Sequence, residues 1–241
     1  MAGNLLINKI MIDWSQIEET SWLHQIESIR NLDELELKAP VTFFAGENGS
    51  GKSTLLEAIA IAAGFNPEGG TRNYAFSTFD SHSPLHEAVR LSRGIRRIRN
   101  GYFLRAESFY NVATMEEEYS RGPGGRPKHY HMKSHGESFL AIAQDHFNAD
   151  GLYFLDEPEA ALSPQRQLTL LIEIAECVKR GAQFIIVTHS PILLGLPEAE
   201  ILSFDEGRVH EISYEETDSY RVTSLFVNNR ERLLKELLSD E

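Results

Sequence analysis

The stretch Gly46-Glu47-Asn48-Gly49-Ser50-Gly51-Lys52-Ser53-Thr54 is the strongest indication of the fold in this chain. It has the P-loop pattern, which is a glycine, four residues and then Gly-Lys-Ser/Thr. The apolar run 41–45 before it predicts a buried strand, and residues 53–63 after it predict a helix that Gly64 ends. A strand, a glycine turn and a helix in this order point backbone N–H groups and a helix N-terminus at one spot, which suits a polyphosphate.

Two side chains of this stretch supply charge and metal chemistry. Lys52 adds a mobile positive charge for the β and γ phosphates, and the Ser53 hydroxyl is suited to hold Mg²⁺. The alternative is an ordinary glycine turn at the start of a helix. We predict a phosphate-binding segment that consists of Gly46, Asn48, Gly49, Ser50, Gly51, Lys52, Ser53 and Thr54.

A second motif places two carboxylates directly after an apolar run. The run 152–155 predicts a buried strand, and Asp156 and Glu157 follow it. A buried parallel strand delivers its carboxyl end to the ligand crevice. We therefore predict that Asp156 reaches Mg²⁺ and that Glu157 orients or activates an attacking water. The alternative is a strand that ends in solvated acids.

A histidine follows the next apolar run in the same way. Residues 184–187 predict a buried strand, and Thr188-His189-Ser190-Pro191 comes after it. We predict that His189 touches the γ-phosphate or the water, so that Glu157 and His189 are the candidate catalytic residues. The alternative is a loop histidine next to a helix.

The segment Ser134-His135-Gly136-Glu137-Ser138 precedes a predicted helix. Ser134 with Glu137 three residues later has the spacing of a capping box. The same geometry permits a functional interpretation, because a serine and a glycine at a helix N-terminus can form a second phosphate site. Ser134 and Gly136 are therefore added to the candidate binding residues.

The alternation of strands and helices predicts an α/β fold with a mostly parallel sheet. Ser163-Pro164 predicts the start of a long helix that Gly181 ends. Residues 201–213 predict a hairpin that turns at Gly207, and residues 223–238 predict an amphipathic helix.

The bulk composition is that of an ordinary soluble protein with a net charge of −13. No apolar run approaches the length that spans a bilayer, and the N-terminus lacks a signal-peptide pattern. The lone cysteine, Cys177, suits a reducing compartment and favours a cytoplasmic location. We expect it to be a small buried apolar residue.

An arginine cluster interrupts this acidic composition. Arg90, Arg93, Arg96, Arg97 and Arg99 lie within ten residues. An acidic chain is not an obvious non-specific nucleic-acid binder. The cluster can nevertheless meet a phosphate backbone, an acidic partner or a nucleotide, and the alternative is a solvated helix face.

The order of the four motifs, 46–54, 134–137, 152–157 and His189, resembles the ATP-binding cassette (ABC) ATPase superfamily. They match its Walker A, signature, Walker B and switch-histidine motifs. The resemblance implies a P-loop head with antiparallel N-terminal strands and a small helical insertion. It implies one domain over residues 1–241, with residues 65–150 as an inserted, partly helical subdomain that bears the signature.

The resemblance also implies a mechanism. In such proteins two ATPase domains enclose two ATP molecules, each between the Walker A motif of one domain and the signature of the other. By similarity, Ser134 and Gly136 would grip the γ-phosphate held by a second copy, and ATP and Mg²⁺ would be the cofactors of a homodimeric ATPase.

This chain departs from the family pattern at several positions. The signature reads Lys133-Ser134-His135-Gly136-Glu137 where Leu-Ser-Gly-Gly-Gln is usual, and Ser163 stands where the D-loop usually ends in Asp. No clear Q-loop glutamine follows the Walker A helix, and Glu107 is the candidate replacement as a metal residue. Trp22 is a candidate for stacking on adenine, but its bulk favours a place in the core.

The wording of the motifs looks like that of stand-alone AAA-type ATPases related to SMC and RecF. Only about eighty residues separate Thr54 from Ser134, which leaves no room for a long coiled-coil arm. We therefore expect a compact head that dimerises around ATP and drives a change in a partner, in DNA-related, defence or repair processes.

Three alternatives stay open. The chain can be the nucleotide-binding subunit of a membrane transporter, which needs a permease partner. It can be an ATP-switched DNA-binding module with slow hydrolysis, in which Arg90–Arg99 carry the contacts. The third alternative, a P-loop kinase, would leave the signature motif unexplained.

Overall fold

The computed structural model describes residues 5–72, 83–120, 130 and 134–239. Its strands are β1 (Ile7–Ile12), β2 (Glu34–Glu36), β3 (Val41–Ala45), β4 (Val89–Arg93), β5 (Asn100–Arg105), β6 (Gly151–Asp156), β7 (Gln183–Val187), β8 (Glu200–Ser203) and β9 (His210–Glu211). Its α-helices are α1 (Glu27–Arg30), α2 (Lys52–Ala62), α3 (Leu85–Ala88), α4 (Phe109–Ser120), α5 (His135–His146), α6 (Pro164–Lys179), α7 (Pro191–Leu194) and α8 (Asp218–Leu238).

A six-stranded sheet forms the centre of the molecule. Its strand order is β5-β6-β7-β3-β8-β9, and every neighbouring pair is parallel except β8 and β9. Strands β3, β6 and β7 are buried at every position, as expected for continuous apolar runs that are covered on both faces. The predicted mostly parallel α/β sheet is confirmed.

A second sheet is antiparallel and has the order β2-β1-β4. Its first two strands come from the N-terminal part of the chain, so the predicted antiparallel N-terminal strands are also confirmed. The third strand, β4, contains Arg90 and Arg93. The proposed helix face for the arginine cluster is therefore wrong, because this segment is a strand followed by turns.

Two apolar clusters cover the two faces of the central sheet. One joins α2 to the antiparallel sheet, with Leu55, Ile59, Ile10 and Phe154 among its members. The other lies under α5 and α6, with Phe139, Ile142, Leu170 and Ile174 among its members. Cys177 is buried in the second cluster, as expected from its small apolar character.

Two helices begin and end where the sequence predicts. The backbone N–H of Ser134 donates to Glu137 Oε2 at 2.9 Å, and its hydroxyl donates to the same oxygen at 2.7 Å, before α5 begins. Helix α6 begins at Pro164 after Ser163 and ends before Gly181, whose φ is +89°. The Ser163 side chain makes no capping hydrogen bond.

The C-terminal part forms the predicted hairpin and helix. Strands β8 and β9 pair across a turn in which Gly207 has a φ of +67°. Helix α8 starts before the predicted boundary, is interrupted at Asn229 and has no buried residue. Over the described ranges, no helix combines the length and apolar character needed to cross a bilayer.

The division of the chain at residues 65–150 stays a prediction. Strands from that range belong to both sheets, and α3, α4 and α5 supply its helical character. The stretch Gly122-Pro123-Gly124-Gly125, which predicts a loop, lies outside the described residues, as does Lys133 of the signature.

The sheet topology brings polar residues from distant parts of the chain to one edge. The P-loop follows β3, and Asp156 ends β6. Glu107, His189 and Asp205 come within two residues of the ends of β5, β7 and β8. The carboxyl ends of these parallel strands meet at the same edge, which is where open α/β sheets bind their ligands.

Candidate nucleotide-binding site

The P-loop owes its shape to glycines at its start, middle and end. Gly46, Gly49 and Gly51 all have positive φ angles. A Cβ atom at Gly51 would lie 2.5 Å from Ile29 Cδ1 and 2.7 Å from Ile26 Cγ2, so the loop packs against the segment before and in α1. The Ser28 hydroxyl donates to the Ser50 carbonyl at 2.5 Å and fixes the same contact.

Lys52 lies inside the loop that precedes it. Its side chain is buried, and Nζ donates to the Gly46 carbonyl at 2.8 Å and to the Glu47 carbonyl at 2.6 Å. Burial lowers the pKa of Lys52, although nearby carboxylates, Asp205 first among them, oppose that shift. The ammonium therefore sits where phosphate oxygens can replace loop carbonyls as its partners.

Ser53 and Asp156 form a direct pair beneath the P-loop. The Ser53 hydroxyl donates to Asp156 Oδ1 at 2.8 Å. Burial raises the pKa of Asp156 to about 6, against the opposing effects of the Ser53 hydrogen bond and the Arg105 charge. A carboxylate in such a place gains from a cation, and one hydroxyl with one carboxylate suits Mg²⁺ that also takes phosphate oxygens and water.

The donor set fits Mg²⁺ carried by a phosphate better than a metal held by protein alone. Over the ranges that the structure describes, no three His, Cys, Asp or Glu side chains form a metal-binding group. Phosphate oxygens would therefore have to complete the coordination shell around Ser53 and Asp156.

Glu157 and His189 face each other at the same edge. Glu157 has a left-handed backbone, with φ +49° and ψ +51°, and its N–H donates to the Val187 carbonyl at 3.0 Å. Its Oε1 is 3.8 Å from His189 Nε2. That nitrogen is buried without a hydrogen-bond partner among the described residues, which fits a missing ligand atom.

Arg105 is a site residue that sequence reasoning missed. It ends β5 beside Asp156, and its Nε is 3.5 Å from Asp156 Oδ2. Its Nη1 donates to Glu57 Oε2 at 2.5 Å, which ties the site to α2. The candidate metal residue Glu107 lies further out, with 89% of its side chain exposed and Oε2 3.7 Å from Arg105 Nη2. Its metal role stays a prediction.

Asp205 is a second missed residue. Its Oδ1 accepts a hydrogen bond from the Glu47 N–H at 2.9 Å. A Cβ atom at Gly46 would lie 2.8 Å from the same oxygen, so Asp205 closes the start of the P-loop. A signal existed, because Asp205 is the first acid after β8, the strand that pairs with β3.

Two clefts flank the P-loop. One of 380 Å³ is lined by Lys52, Thr54, Glu157 and Trp22, among others. Because Trp22 is 50% exposed, the place in the core that the sequence favours is wrong, and its side chain borders the cleft. The other cleft has 710 Å³ and lies between His189, Asp205 and the start of α8.

The proposed signature residues, Ser134 and Gly136, contact other parts of the chain than the P-loop. Ser134 contacts Glu137 and Arg166, and a Cβ atom at Gly136 would lie 2.8 Å from the Ala161 carbonyl. Within the described part of the chain, no hydrogen bond or ion pair joins Ser134 or Gly136 to residues 46–54. The structure thus brings Lys52, Ser53, Asp156, Glu157 and His189 together without Ser134 and Gly136.

Two protein-family models match the chain. One is described as "AAA domain" and matches residues 23–121, which include the P-loop. The other is described as "AAA domain, putative AbiEii toxin, Type IV TA system" and matches residues 135–195, from α5 through His189. No curated protein matches the chain.

Three of the solved structures with a similar arrangement are an SMC head domain and two components of ABC transporters. The SMC head domain from Thermotoga maritima is 17% identical, with 87% of this chain and 99% of that chain covered and a TM-score of 0.46. MJ1267, an ATP-binding cassette of an ABC transporter, is 15% identical, with 94% and 97% covered and a TM-score of 0.47. The third, cbiO1 from Clostridium perfringens, part of the ABC transporter complex cbiONQ, is 17% identical, with 83% and 88% covered and a TM-score of 0.44.

The family models cover the Walker A segment and the segment from the signature helix to the switch histidine. On the described sheet, the Walker motifs and that histidine converge at one edge. Both matching models describe AAA domains, and this chain belongs to the superfamily of P-loop ATPases.

Proposed function

We propose that the protein is a Mg²⁺-dependent ATPase that dimerises around ATP and drives a conformational change in a partner. The observation that supports it best is the Ser53–Asp156 pair beneath the P-loop, with Glu157 at the same edge and a His189 Nε2 that has no hydrogen-bond partner among the described residues. Those groups are a metal site, a base and a donor arranged around one place.

Each group of the chain has a distinct task in this proposal. The N–H groups of the P-loop and Lys52 bind the phosphates, and Trp22 offers a face for the adenine ring. Mg²⁺ at Ser53 and Asp156 would neutralise charge on the phosphate oxygens. Glu157 accepts a proton from the attacking water, while His189 Nε2 holds that water or a γ-phosphate oxygen.

The positions of Ser134 and Gly136 support the proposed dimer. Ser134 and Gly136 lie at the start of α5 and contact the segment around Ala161 rather than the P-loop. A helix N-terminus binds anions, so the signature of one copy is suited to cover the γ-phosphate bound by another. ATP then joins two copies, and hydrolysis separates them, as in other nucleotide switches.

The direct test is Glu157→Gln in the presence of Mg²⁺ and ATP. We expect dimers by light scattering after size exclusion, and turnover at least about 100-fold slower than wild type, since the base is lost while ATP binding stays. The control is Glu231→Gln, an exposed acid of α8, which should behave as wild type. A Glu157→Gln protein that stays monomeric and hydrolyses ATP at the wild-type rate contradicts the proposal.

A second candidate function is nucleic-acid binding under nucleotide control. Within the described ranges, Arg93, Arg97 and Arg99 have no carboxylate partner, whereas Arg96 pairs with Asp150. A polar cleft of 330 Å³ at the start of β5 is lined by Arg72, Arg99, Thr71, Asn100, His146 and Asn148, together with Gly64 and Gly101, and by no acid. These positions are a local exception in a chain of charge −13.

Fluorescence anisotropy with a labelled DNA duplex tests this candidate at several salt concentrations. If Arg97 and Arg99 each contact a phosphate, Arg97→Gln and Arg99→Gln each reduce the salt slope of log K by about 1. Arg232→Gln, which removes the same charge from α8, should leave the slope unchanged. Equal slopes for all four proteins exclude this surface as a DNA site.

A further inference from the structure

Arg166 lies beside the proposed signature, although it comes from another helix. It stands in the first turn of α6, with a third of its side chain exposed. Its Nη1 is 3.3 Å from Ser134 Oγ, and its Nη2 is 3.1 Å from Glu137 Oε1. The guanidinium thus faces the start of α5.

The packing keeps this guanidinium against the Gly136 backbone. A Cβ atom at Gly136 would lie 2.7 Å from Arg166 Nη1 and 2.8 Å from the Ala161 carbonyl. Only glycine leaves room for both neighbours at this position. The arginine is therefore held next to the two residues that the proposed function assigns to the γ-phosphate of a second copy.

The Glu137 carboxylate contacts the donors of Ser134 and Arg166 at the start of α5. Oε2 accepts from the Ser134 N–H at 2.9 Å and from the Ser134 hydroxyl at 2.7 Å, and Oε1 lies on Arg166 Nη2. A phosphate oxygen can replace a carboxylate oxygen on all of these donors, because a guanidinium fork matches both groups. The Ser134 hydroxyl would turn from Glu137 to the phosphate.

We propose that Arg166 is a catalytic residue that acts between copies: it contacts the γ-phosphate bound to the P-loop of the partner copy, together with Ser134 and Gly136. This inference rests on the proposed function. Arg166 supplies a fixed positive charge where negative charge spreads over the phosphate oxygens in the transition state.

Turnover of single variants gives the first readout. Arg166→Gln should lower kcat by about 100-fold or more, while ATP binding to the separated chain stays as in wild type, because the P-loop is intact. Arg166→Lys should recover part of kcat, since it keeps the charge and loses the fork. Urea unfolding of both variants shows whether the fold is kept.

Mixing experiments then decide whether Arg166 acts on the partner's nucleotide. Arg166→Gln and Lys52→Ala chains should each be inactive alone. In a mixed dimer, the intact Lys52 of one chain meets the intact Arg166 of the other, so an equimolar mixture should regain up to about a quarter of wild-type turnover. The negative control is Lys52→Ala with Glu157→Gln, because both act in the same chain's site and no intact site forms.

A second mixture separates this inference from the function it rests on. Ser134→Ala with Lys52→Ala should also regain turnover if two copies share each site. Recovery with Ser134→Ala and none with Arg166→Gln overturns the role of Arg166 and leaves the shared site in place. No recovery in either mixture contradicts the shared site itself and the role of Arg166 with it.

Discussion

Two glycines of the P-loop are favoured over other residues for different physical reasons. Gly49 has a φ of +81°, but a Cβ atom there would meet nothing within 4 Å. Gly51 has a φ of +93°, and a Cβ atom there would collide with Ile26 and Ile29. The first position constrains only the backbone, whereas the second also joins the loop to the apolar core.

We expect Gly51→Ala to cost more stability than Gly49→Ala. A left-handed backbone costs an alanine about 1 kcal/mol, and forced overpacking adds about 1–3 kcal/mol. Gly49→Ala should therefore lower the free energy of unfolding by about 1 kcal/mol and Gly51→Ala by about 2–4 kcal/mol. Urea unfolding without nucleotide measures both, and equal losses would show that Ile26 and Ile29 move aside freely.

The raised pKa of Asp156 predicts a pH-dependent stability in the absence of metal. Folding raises the pKa of this carboxyl from its ordinary 3.8 to about 6. Its contribution to stability is thus complete below pH 3.8 and is lost as the pH rises through about 6. Asp156→Asn removes that loss. The free energy of unfolding of the variant, relative to wild type, should therefore increase by about 2 kcal/mol when the pH is raised from 4.5 to 8.

Urea unfolding at the two pH values, with a chelator present, checks this prediction. Adding Mg²⁺ and ATP at pH 8 should reverse the order, because only the wild-type carboxylate is suited to the metal. A difference between wild type and Asp156→Asn that does not change with pH would show that Asp156 is ionised in the metal-free fold.

Among single residues, the sequence predicts acids and a histidine that come after apolar runs. It misses residues whose role depends on contacts with distant parts of the chain. Asp156 ends one buried strand and His189 lies two residues after the next, so parallel-sheet geometry predicts that they meet. Arg105 is the last residue of its strand, and only its contacts with Glu57 and Asp156 show its relevance. Arg166 has no signal in the chain, because its neighbour Ser134 is 32 residues away.

Among the elements, the central strands are predictable from the sequence, whereas β4 is not. Strands β3, β6 and β7 are continuous apolar runs, and burial on both faces leaves few other structures for such runs. The sequence of strand β4 is compatible with a charged helix face, because its arginines leave only a short alternation of apolar and polar residues around Leu91. Only its pairing with β1, about eighty residues earlier, makes it a strand.

The part of helix α8 that follows its interruption at Asn229 should contribute little to the free energy of unfolding. Its first half is held at Tyr220, whose ring lies 4.7 Å from that of Tyr214, whereas residues 230–238 are largely exposed. A chain that ends at Asn229 should therefore keep its free energy of unfolding within about 0.5 kcal/mol. A matched chain that ends at Thr217 loses the Tyr220 contact and should be less stable in the same urea titration.

A loss of more than about 2 kcal/mol in the longer of these two chains would contradict this assignment. It would mean that the outer half of α8 packs against the protein or against a second copy in solution.

At the scale of the whole molecule, one buried side chain joins the two sheets. Gln183 at the start of β7 accepts hydrogen bonds from the N–H groups of Leu6 and Ile7 at 2.8 and 2.9 Å, and its Nε2 donates to the Ile7 carbonyl at 2.9 Å. It is 1% exposed. The antiparallel sheet is thus fixed to the central sheet by polar bonds as well as apolar packing.

Replacement of this residue by leucine should cost about 3–5 kcal/mol. Gln183→Leu fills the space but leaves two N–H groups and one carbonyl buried without partners, and each costs about 1–3 kcal/mol. Gln144→Leu is the control, because the hydrogen bond of this exposed glutamine to Glu173 lies on the surface. Similar losses for the two variants, measured by urea unfolding, would show that the sheets are joined by other contacts.

The burial of the lone cysteine has a practical consequence for watching two copies close. Cys177 is fully enclosed, and burial raises the pKa of its thiol, so little reactive thiolate is available to alkylating reagents. A cysteine introduced at exposed Thr223 would then be the one position that a maleimide dye modifies. Donor- and acceptor-labelled chains would report the approach of the two heads as energy transfer, without any change to the native thiol.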